Sequence, residues 1–278
     1  MRIFMTGATG YIGAVVTEKL LAAGHRVAGL ARSEASADRL RRGGAEAVPG
    51  DLDQPHAIAA AAREADAAIH LAMDLAGDAP RVDRLAVEAM LGAFAGSGKP
   101  LIYTSGVWVM GNTGGRVAEE TDAVNPVPLV AWRPAHEQLV LTAAGVQGVV
   151  IRPAMVFGRS NGFVGHLFRP DDRGVVSYVD GGENRWCFVH VDDLADLYVR
   201  ALKAPAGSIY FAAAGPAIPV ALAAQAFAPG AKVQAIPLEA AREKMGPLAD
   251  ALAADNMVTA LKAMRELGWT PTRLFGKG

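Results

Sequence analysis

A run of regularly spaced glycines near the start of the chain carries its clearest chemical signal. Residues 6–13 are Thr-Gly-Ala-Thr-Gly-Tyr-Ile-Gly, so that Gly7, Gly10 and Gly13 recur at every third position. A strand-like apolar run precedes the glycines, and apolar residues at helical spacing follow them. Such a turn lets backbone N–H groups approach a pyrophosphate, while the helix N-terminus adds a partial positive charge. The segment predicts a dinucleotide-binding turn, with a purely structural glycine turn as the alternative.

The end of the second predicted strand indicates which dinucleotide binds. An NAD site usually carries Asp or Glu about 20 residues after the glycines, where it bonds the ribose 2′-OH. Here the strand ends in Ala31-Arg32-Ser33, without a carboxylate. A guanidinium can bind a 2′-phosphate through two charge-assisted hydrogen bonds. We therefore predict that Arg32 and Ser33 contact NADP(H); the alternative for Arg32 is a solvated surface arginine.

The elements that must position these residues alternate between strand and helix. Near-continuous apolar strands separated by helices predict an α/β fold with a Rossmann-like doubly wound parallel sheet. Strands are expected at residues 3–5, 26–31, 47–49, 67–71, 101–105 and 148–152, and helices at 12–23, 35–42, 55–63, 82–94 and 137–144.

The composition and periodicity of the sequence change after Pro153. Residues 158–184 are rich in Gly, Asp and Arg and show few periodic segments. Short helices are expected at 192–202, 221–226, 238–244 and 258–267, with a returning strand at 209–211. We predict a dinucleotide-binding domain at 1–153. Residues 154–278 would form mainly a small C-terminal substrate lobe, with some segments returning to the Rossmann core.

Composition excludes several classes of protein. Lys and Arg total 27 and Asp and Glu total 28, for a net charge of −1, and no basic stripe indicates nucleic-acid binding. No uncharged apolar run reaches the roughly 18 residues of a membrane helix, and no signal peptide is recognisable. The single cysteine, Cys187, fits a reducing compartment, so a cytoplasmic location is expected.

Further motifs extend the pattern along most of the chain. They are Gly50-Asp51-Leu52, Ile69-His70-Leu71-Ala72, Tyr103-Thr104-Ser105-Gly106, Ile151-Arg152-Pro153, Val156-Phe157-Gly158, Phe188-Val189-His190-Val191-Asp192-Asp193-Leu194-Ala195 and Arg265-Glu266-Leu267-Gly268-Trp269-Thr270-Pro271. Together with the glycine turn, they resemble the extended and atypical branches of the short-chain dehydrogenase/reductase superfamily, the NAD-dependent epimerase/dehydratase group.

The resemblance implies a set of cofactor contacts. Asp51 and Leu52 would flank the adenine, Leu71 to Met73 would line the nicotinamide-side ribose, and Pro153 to Val156 would lie along the nicotinamide. The full predicted set is Gly7, Thr9, Gly10, Tyr11, Ile12, Gly13, Arg32, Ser33, Asp51, Leu52, Leu71, Ala72, Met73, Thr104, Pro153 and Val156.

The catalytic pattern departs from that family. Its members use a Tyr-x-x-x-Lys helix, in which the tyrosine exchanges a proton with the substrate oxygen, and no such motif occurs here. One alignment register places Leu129 and Arg133 at the two positions, and another places Trp132 and His136 there. We prefer the first, with Arg133 holding the nicotinamide ribose.

Acid–base work must then come from other groups. We predict Ser105, Arg133 and His136 as the catalytic residues, with Tyr178, His190 or the substrate itself as further proton sources. His136 titrates near neutrality, although a helix-surface histidine is the alternative, and a structural role is the better interpretation of His190. No metal site is predicted, because His136-Glu137 does not continue into zinc-ligand spacing.

Aromatic side chains indicate the substrate. We predict that Trp108, Trp132, Tyr178 and Trp186 line an apolar pocket, with core packing as the alternative. The predicted function is an NADP-dependent atypical oxidoreductase that acts on a small, rather hydrophobic carbonyl or alcohol. A non-redox isomerase, lyase or cyclase and a dinucleotide-sensing binding protein are the alternatives. The expected partner is a small-molecule substrate, and the resemblance makes a homodimer plausible.

Overall fold

The computed structural model describes residues 1–74, 77–159 and 162–276 and contains a seven-stranded sheet. In chain order the strands are β1 Arg2–Thr6, β2 Arg26–Ala31, β3 Glu46–Pro49, β4 Ala67–His70, β5 Pro100–Thr104, β6 Gln147–Pro153, β7 Met155–Phe157, β8 Val175–Val179, β9 Arg185–His190, β10 Ser208–Ala212, β11 Ala214–Pro219 and β12 Lys232–Ile236. The large sheet has the order β10-β6-β5-β4-β1-β2-β3.

Parallel pairing joins β1 to β2 and β4, β2 to β3, β4 to β5, and β5 to β6. The side chains of β4 are all buried, as expected for a strand covered on both faces. The order reverses direction at β1, where the chain leaves one half of the sheet for the other. The predicted Rossmann-like doubly wound fold is confirmed.

Helices connect the strands. They are α1 Tyr11–Ala22, α2 Glu34–Arg42, α3 Pro55–Arg63, α4 Ala79–Phe94, α5 Arg133–Leu141, α6 Gly162–Leu167, α7 Val191–Ala201, α8 Val220–Phe227, α9 Leu238–Met245, α10 Leu248–Ala253 and α11 Leu261–Leu267. Short 3-10 helices span Val107–Met110 and Pro128–Val130. Within the described part of the chain, none of the helices has the length and apolar character needed to cross a membrane.

Contacts divide the chain into two compact units. Unit 1 comprises Met1–Ser105, Ala135–Ile151 and Ala195–Ile209, and unit 2 comprises Gly106–Pro134, Arg152–Leu194 and Tyr210–Gly278. Residues 106–134 therefore lie outside unit 1. The boundary predicted at residue 153 separates a dinucleotide-binding domain from a substrate lobe, and it stays a prediction.

Each unit has its own hydrophobic core. In unit 1, Phe4, Met90 and Tyr103 belong to a buried cluster formed by strands and by helices α3 and α4. In unit 2, Phe168 and Phe188 belong to a second cluster. Two smaller sheets occur in unit 2, with β9 between β7 and β11, and β8 paired in parallel with β12.

Several elements of the later part of the chain differ from the sequence-based expectation. The segment 158–184 contains helix α6 and strand β8, and α10 lies in a stretch for which no helix was expected. The last helix begins at Leu261, because Val258 forms a bridge with Ala118 instead. Helix α5 begins at Arg133, since Pro134 is tolerated in a first helical turn.

A buried carboxylate ties the C-terminal segment to helix α7. Asp193 is 2% exposed, and it accepts hydrogen bonds from the backbone N–H groups of Thr272 and Arg273 at 2.9 and 2.8 Å. The Arg273 guanidinium donates a further bond at 2.6 Å. The Thr272 hydroxyl also donates to the carboxylate at 3.4 Å. All four donors lose their acceptor if the carboxylate is removed, and two of them are backbone groups that cannot turn away.

We expect Asp193→Ala to lower the free energy of unfolding by about 3 kcal/mol. The matched control is Asp196→Ala on the same helix, because Asp196 forms a partly exposed ion pair with Lys19 at 2.9 Å. A surface pair of this kind contributes only about 0–1 kcal/mol. Urea denaturation measures both variants, and equal losses of stability would contradict the anchoring role of Asp193.

Candidate functional site

The glycine turn between β1 and α1 is as tight as its sequence predicts. Gly7 has a φ of +70°, and its carbonyl oxygen accepts a hydrogen bond from Gly10 N at 2.9 Å. A Cβ atom at Gly7 would lie 2.6 Å from Ala72 N, and one at Gly13 would lie 2.0 Å from the Gly7 carbonyl oxygen. Side chains at these two positions would therefore displace backbone, so the close approach requires glycine.

Helix α1 opens directly after this turn. Gly10 occupies the N-cap position without a side-chain cap, and the first turn contains no acidic residue. The first N–H groups of a helix have no partner within the helix, and they carry the positive end of its dipole. Thr9, Tyr11 and Ile12 are half-buried around them. This arrangement fits a phosphate group, and the glycine cradle leaves room for it.

A cavity of about 350 Å³ lies at the ends of β2 and β3 in unit 1. Its lining includes Arg32, Ser33, Glu34, Arg41, Asp51 and Gln54.

The two arginines of this cavity differ in their surroundings. Arg41 donates hydrogen bonds to Glu34 and Asp38, the latter at 2.9 Å. Arg32 is exposed and forms no hydrogen bond or ion pair with the residues that the structure describes. Ser33 caps α2 by accepting a hydrogen bond from Ser36 N. Arg32 is therefore the cation of this cavity that can turn toward an anionic ligand without breaking a protein contact.

The turn after β3 is held by local hydrogen bonds. Asp51 Oδ1 accepts from Leu52 N at 2.7 Å, and Gln54 Oε1 accepts from Asp51 N at 3.3 Å. The Leu52 side chain packs into the core of unit 1. Asp51 thus lines the cavity, whereas Leu52 is only 9% exposed.

The carboxyl ends of β4 and β5 carry the next group of predicted residues. Leu71 and Ala72 are half-buried, and Met73 is 50% exposed. Thr104 Oγ1 lies 2.7 Å from the hydroxyl oxygen of Tyr198. Ligands of open parallel sheets bind along this edge, where the glycine turn also lies.

Ser105, one residue beyond β5, has an unusual hydroxyl. The residue is 9% exposed, and its Oγ has no hydrogen-bond partner among the described residues. Its backbone N–H donates to Ile151 O at 2.9 Å, which fixes the position of the backbone at this residue. A buried hydroxyl without a partner is costly. At a ligand-binding edge it is available to bond a group that arrives from outside.

His136 lies in the interior rather than on the helix surface. It is 4% exposed, and its Nδ1 lies 2.7 Å from Asp83 Oδ2. The alternative of a helix-surface histidine therefore does not describe the structure.

Asp83 and two further residues that contact it, Tyr103 and His70, were not among the predicted site residues. Tyr103 donates to Asp83 Oδ2 at 2.9 Å, and His70 Nε2 lies 3.1 Å from Asp83 Oδ1. A signal was present, because Asp83 shares the helical spacing of buried Ala86, Val87 and Met90 on α4. A carboxylate on that apolar stripe must find partners in the core.

Residues of unit 2 complete the predicted set. The Arg133 guanidinium lies 4.5 Å from the Trp132 ring, and Arg133 is 8% exposed. Pro153 ends β6 as a buried residue, and Val156 is half-buried in β7.

The predicted substrate aromatics of unit 2 fall into two groups. Trp108 and Tyr178 are half-buried. Trp186 is 1% exposed, donates from Nε1 to Ala254 O at 3.2 Å and stacks on Phe168. For Trp186 the core-packing alternative describes the structure, because the indole is enclosed and its N–H already has a partner.

Comparison with known proteins identifies the family. The family model described as NAD dependent epimerase/dehydratase family matches residues 3–213. The chain belongs to the NAD dependent epimerase/dehydratase family. An uncharacterized protein of Schizosaccharomyces pombe is 33% identical over 98% of this chain and 95% of its own length.

Two further matches are a curated enzyme and a solved structure. A 4-hydroxy-2-methyl-3-oxo-4-farnesyl-3,4-dihydroquinoline-1-oxide ketoreductase of Stigmatella aurantiaca is 29% identical over 76% of this chain and 67% of its own. The structure of dTDP-glucose 4,6-dehydratase of Streptomyces venezuelae, with NAD bound, aligns with a TM-score of 0.83 and 20% identity over 100% of this chain and 94% of that chain. The latter similarity establishes the fold of this family member.

His190, a predicted proton source, is packed against backbone. Its Nδ1 accepts from Asp192 N at 3.2 Å, and a Cβ at Gly158 would lie 2.1 Å from its Nε2. Burial lowers the pKa of His190 below its ordinary value of 6.5, while the negative charge of Asp192 opposes that shift and the positive charge of Arg273 adds to it.

We expect His190 to titrate below 6.5. Asp192→Asn lowers this pKa further, and Arg273→Gln raises it. Since the folded pKa is depressed, the contribution of His190 to stability is complete above the unfolded pKa and is lost as pH falls toward the folded pKa. NMR titration of the His190 imidazole measures its pKa in both variants. Shifts of the pKa in the same direction would contradict the opposite effects assigned to Asp192 and Arg273.

Proposed function

We propose that the chain is an NADP-dependent oxidoreductase that interconverts a small, rather hydrophobic carbonyl compound and its alcohol. The observation that carries the proposal is the Ser105 hydroxyl. It is buried without a partner among the described residues, at the sheet edge that also holds the glycine turn. The ketoreductase activity named for the relative from Stigmatella aurantiaca supports the same reaction class.

The glycine turn and the start of α1 would hold the pyrophosphate. Backbone N–H groups at the helix start bind the anion, and Gly7 and Gly13 allow the approach. Asp51, Leu52, Leu71, Ala72, Met73 and Thr104 are the further contacts proposed in unit 1. The roles of Pro153, Val156, Trp108, Trp132, Arg133 and Tyr178 stay predictions, as do the cytoplasmic location and the homodimer.

Arg32 supports the choice of NADP over NAD. Its guanidinium lines the cavity after β2 and has no partner among the described residues, so no ion pair has to be broken when it binds a phosphate. Glu34 also lines this cavity, but its carboxylate is engaged by Arg41. The 2′-phosphate would therefore meet a cation whose charge is not already neutralised.

We expect Arg32→Ala to weaken NADPH binding by about tenfold to a hundredfold, because charge-assisted bonds to phosphate are lost. NADH binding should change less than about twofold, since NADH lacks the 2′-phosphate. The matched control is Arg42→Ala on α2, an arginine that does not line the cavity. Calorimetric titration gives both dissociation constants, and equal weakening of NADPH and NADH would contradict the role of Arg32.

The proton step has to work without a Tyr-x-x-x-Lys pair. NADPH, which the glycine turn and Arg32 would hold, would supply the hydride for the carbonyl carbon. The Ser105 hydroxyl donates a hydrogen bond to the carbonyl oxygen, which gains its proton from water as the alcohol forms. His136 is less suited to this step, because Asp83 already engages its Nδ1 in the core.

We expect Ser105→Ala to lower kcat about a hundredfold, the effect of losing one donor to a developing oxyanion. The melting temperature should not fall, since Ser105 Oγ has no protein partner to lose. In contrast, Thr104→Val breaks the contact with Tyr198 and should lower the melting temperature. NADPH oxidation with a panel of small aldehydes and ketones gives kcat.

The same assays separate the alternatives. An unchanged kcat in Ser105→Ala would contradict the role of this hydroxyl. Tight NADPH binding without turnover would favour a dinucleotide-sensing protein. Conversion of a substrate without net oxidation of NADPH would favour an isomerase, lyase or cyclase.

A further inference from the structure

A buried carboxylate in unit 1 joins residues from four different elements. Asp83 on α4 is 3% exposed. Its Oδ2 lies 2.9 Å from the Tyr103 hydroxyl on β5 and 2.7 Å from His136 Nδ1 on α5, and its Oδ1 lies 3.1 Å from His70 Nε2 on β4. Asp83 is therefore the centre of a polar cluster inside an otherwise apolar core.

We assign the direction of these bonds from the donor and acceptor chemistry of the groups, with Asp83 as the carboxylate. An ionised carboxylate only accepts hydrogen bonds, so Tyr103, His70 and His136 all donate to Asp83. We accordingly assign the proton of His70 to Nε2. Three hydrogen bonds stabilise the buried charge of Asp83. Removal of that charge would leave several of these donors close together without a good acceptor.

The hydrogen bonds of the cluster continue beyond His70 to the glycine turn. His70 Nδ1 lies 2.7 Å from Thr6 Oγ1, and Thr6 Oγ1 accepts a hydrogen bond from Ala72 N at 3.4 Å. With its proton on Nε2, His70 accepts from the Thr6 hydroxyl at Nδ1. The bonds then run in one direction from the Ala72 amide through Thr6 and His70 to Asp83, and such chains strengthen one another.

Two residues of this hydrogen-bond series, Thr6 and His70, come directly before residues of the candidate site. Thr6 ends β1 and precedes Gly7, and His70 ends β4 and lies two residues before Ala72. A Cβ at Gly7 would lie only 2.6 Å from Ala72 N, so the two loops meet without spare room. A small shift of either strand end would therefore change the shape of the dinucleotide turn.

We propose that Asp83 is a positioning residue for the nicotinamide dinucleotide, acting through His70 and Thr6 on the spacing of the glycine turn and the loop after β4. This inference rests on the proposed function, since it presumes that the turn binds NADPH. Asp83 itself need not touch the cofactor. Its charge orients His70, His70 orients the Thr6 hydroxyl, and that hydroxyl holds the Ala72 amide beside Gly7.

A double-mutant cycle on NADPH affinity tests the connection. Thr6→Val removes the hydroxyl while keeping the shape of the side chain, and Asp83→Asn removes the charge while keeping its shape. Each variant should raise the NADPH dissociation constant about tenfold, and the double variant should be no weaker than either single one, because both break the same chain. Additive losses, giving about a hundredfold in the double variant, would overturn the proposal.

Rescue and control variants separate positioning from simple loss of stability. Thr6→Ser keeps the hydroxyl and should bind NADPH as the wild type does; binding as weak as in Thr6→Val would count against the proposal. Tyr210→Phe removes a phenol that donates to Glu266 at 2.9 Å outside the cluster. It should lower the melting temperature and leave the NADPH dissociation constant unchanged. A comparable loss of NADPH affinity in Tyr210→Phe would mean that Asp83→Asn acts only by destabilising the fold, and it would contradict the proposal.

Two further provisions keep the outcome decisive. If Asp83→Asn does not fold, Tyr103→Phe replaces it in the cycle, since that change removes one donor from the same carboxylate, and non-additivity with Thr6→Val is again the expected result. A wild-type protein that binds no NADPH would overturn the proposed function. A wild-type protein that binds NADPH but gives an additive cycle would overturn this inference alone.

Discussion

A side chain at Gly13 would place its Cβ 2.0 Å from the Gly7 carbonyl oxygen, and one at Gly7 would place it 2.6 Å from Ala72 N. Both distances are far inside van der Waals contact, so β1, α1 and the loop after β4 approach as closely as their backbones permit. Gly10, the N-cap of α1, has no side chain that could bond the N–H groups at the start of the helix. The close approach brings the Thr6 hydroxyl within reach of the Ala72 amide. The tight glycine turn and the series of buried hydrogen bonds both depend on it.

Polar groups in unit 1 fall into two kinds according to whether they have protein partners. Asp83, His70 and Tyr103 satisfy one another in the core, and their bonds join the ends of neighbouring strands. The hydroxyl of Ser105, by contrast, has no partner among the described residues. Polar groups that bond one another stabilise the fold, whereas a polar group without a protein partner remains available to a ligand. Membership of the family establishes the fold, and this division of polar groups indicates where chemistry can occur.

The sequence predicted the first half of the fold well because the signals there are local. Strand β2 and helix α3 have their predicted bounds, since an apolar run and an N-terminal proline mark them directly. Later elements escaped prediction because their stability comes from distant partners. Strand β8 is held by β12, which lies far along the chain, and α6 has only six residues. A short segment of this kind has too few residues to show a period.

The candidate site divides in the same manner. The tight glycine turn could be predicted, because its strand-turn-helix context is visible in the sequence, whereas the contact of Arg32 with a 2′-phosphate stays a prediction. The surroundings of His136 could not be predicted, since its partner Asp83 lies 53 positions away on another helix. Trp186 shows the same limit, because only packing against Phe168 reveals that its indole is enclosed.

The sequence by itself determined the parallel sheet and the tight glycine turn, because these follow from apolar periodicity and from the unique conformational freedom of glycine. Its motifs indicated the family, since they resemble those of known members. Only the tertiary structure decided which polar side chains satisfy one another and which remain available. Hydrogen bonding in a core depends on contacts between residues that are remote in sequence, and burial makes those contacts obligatory.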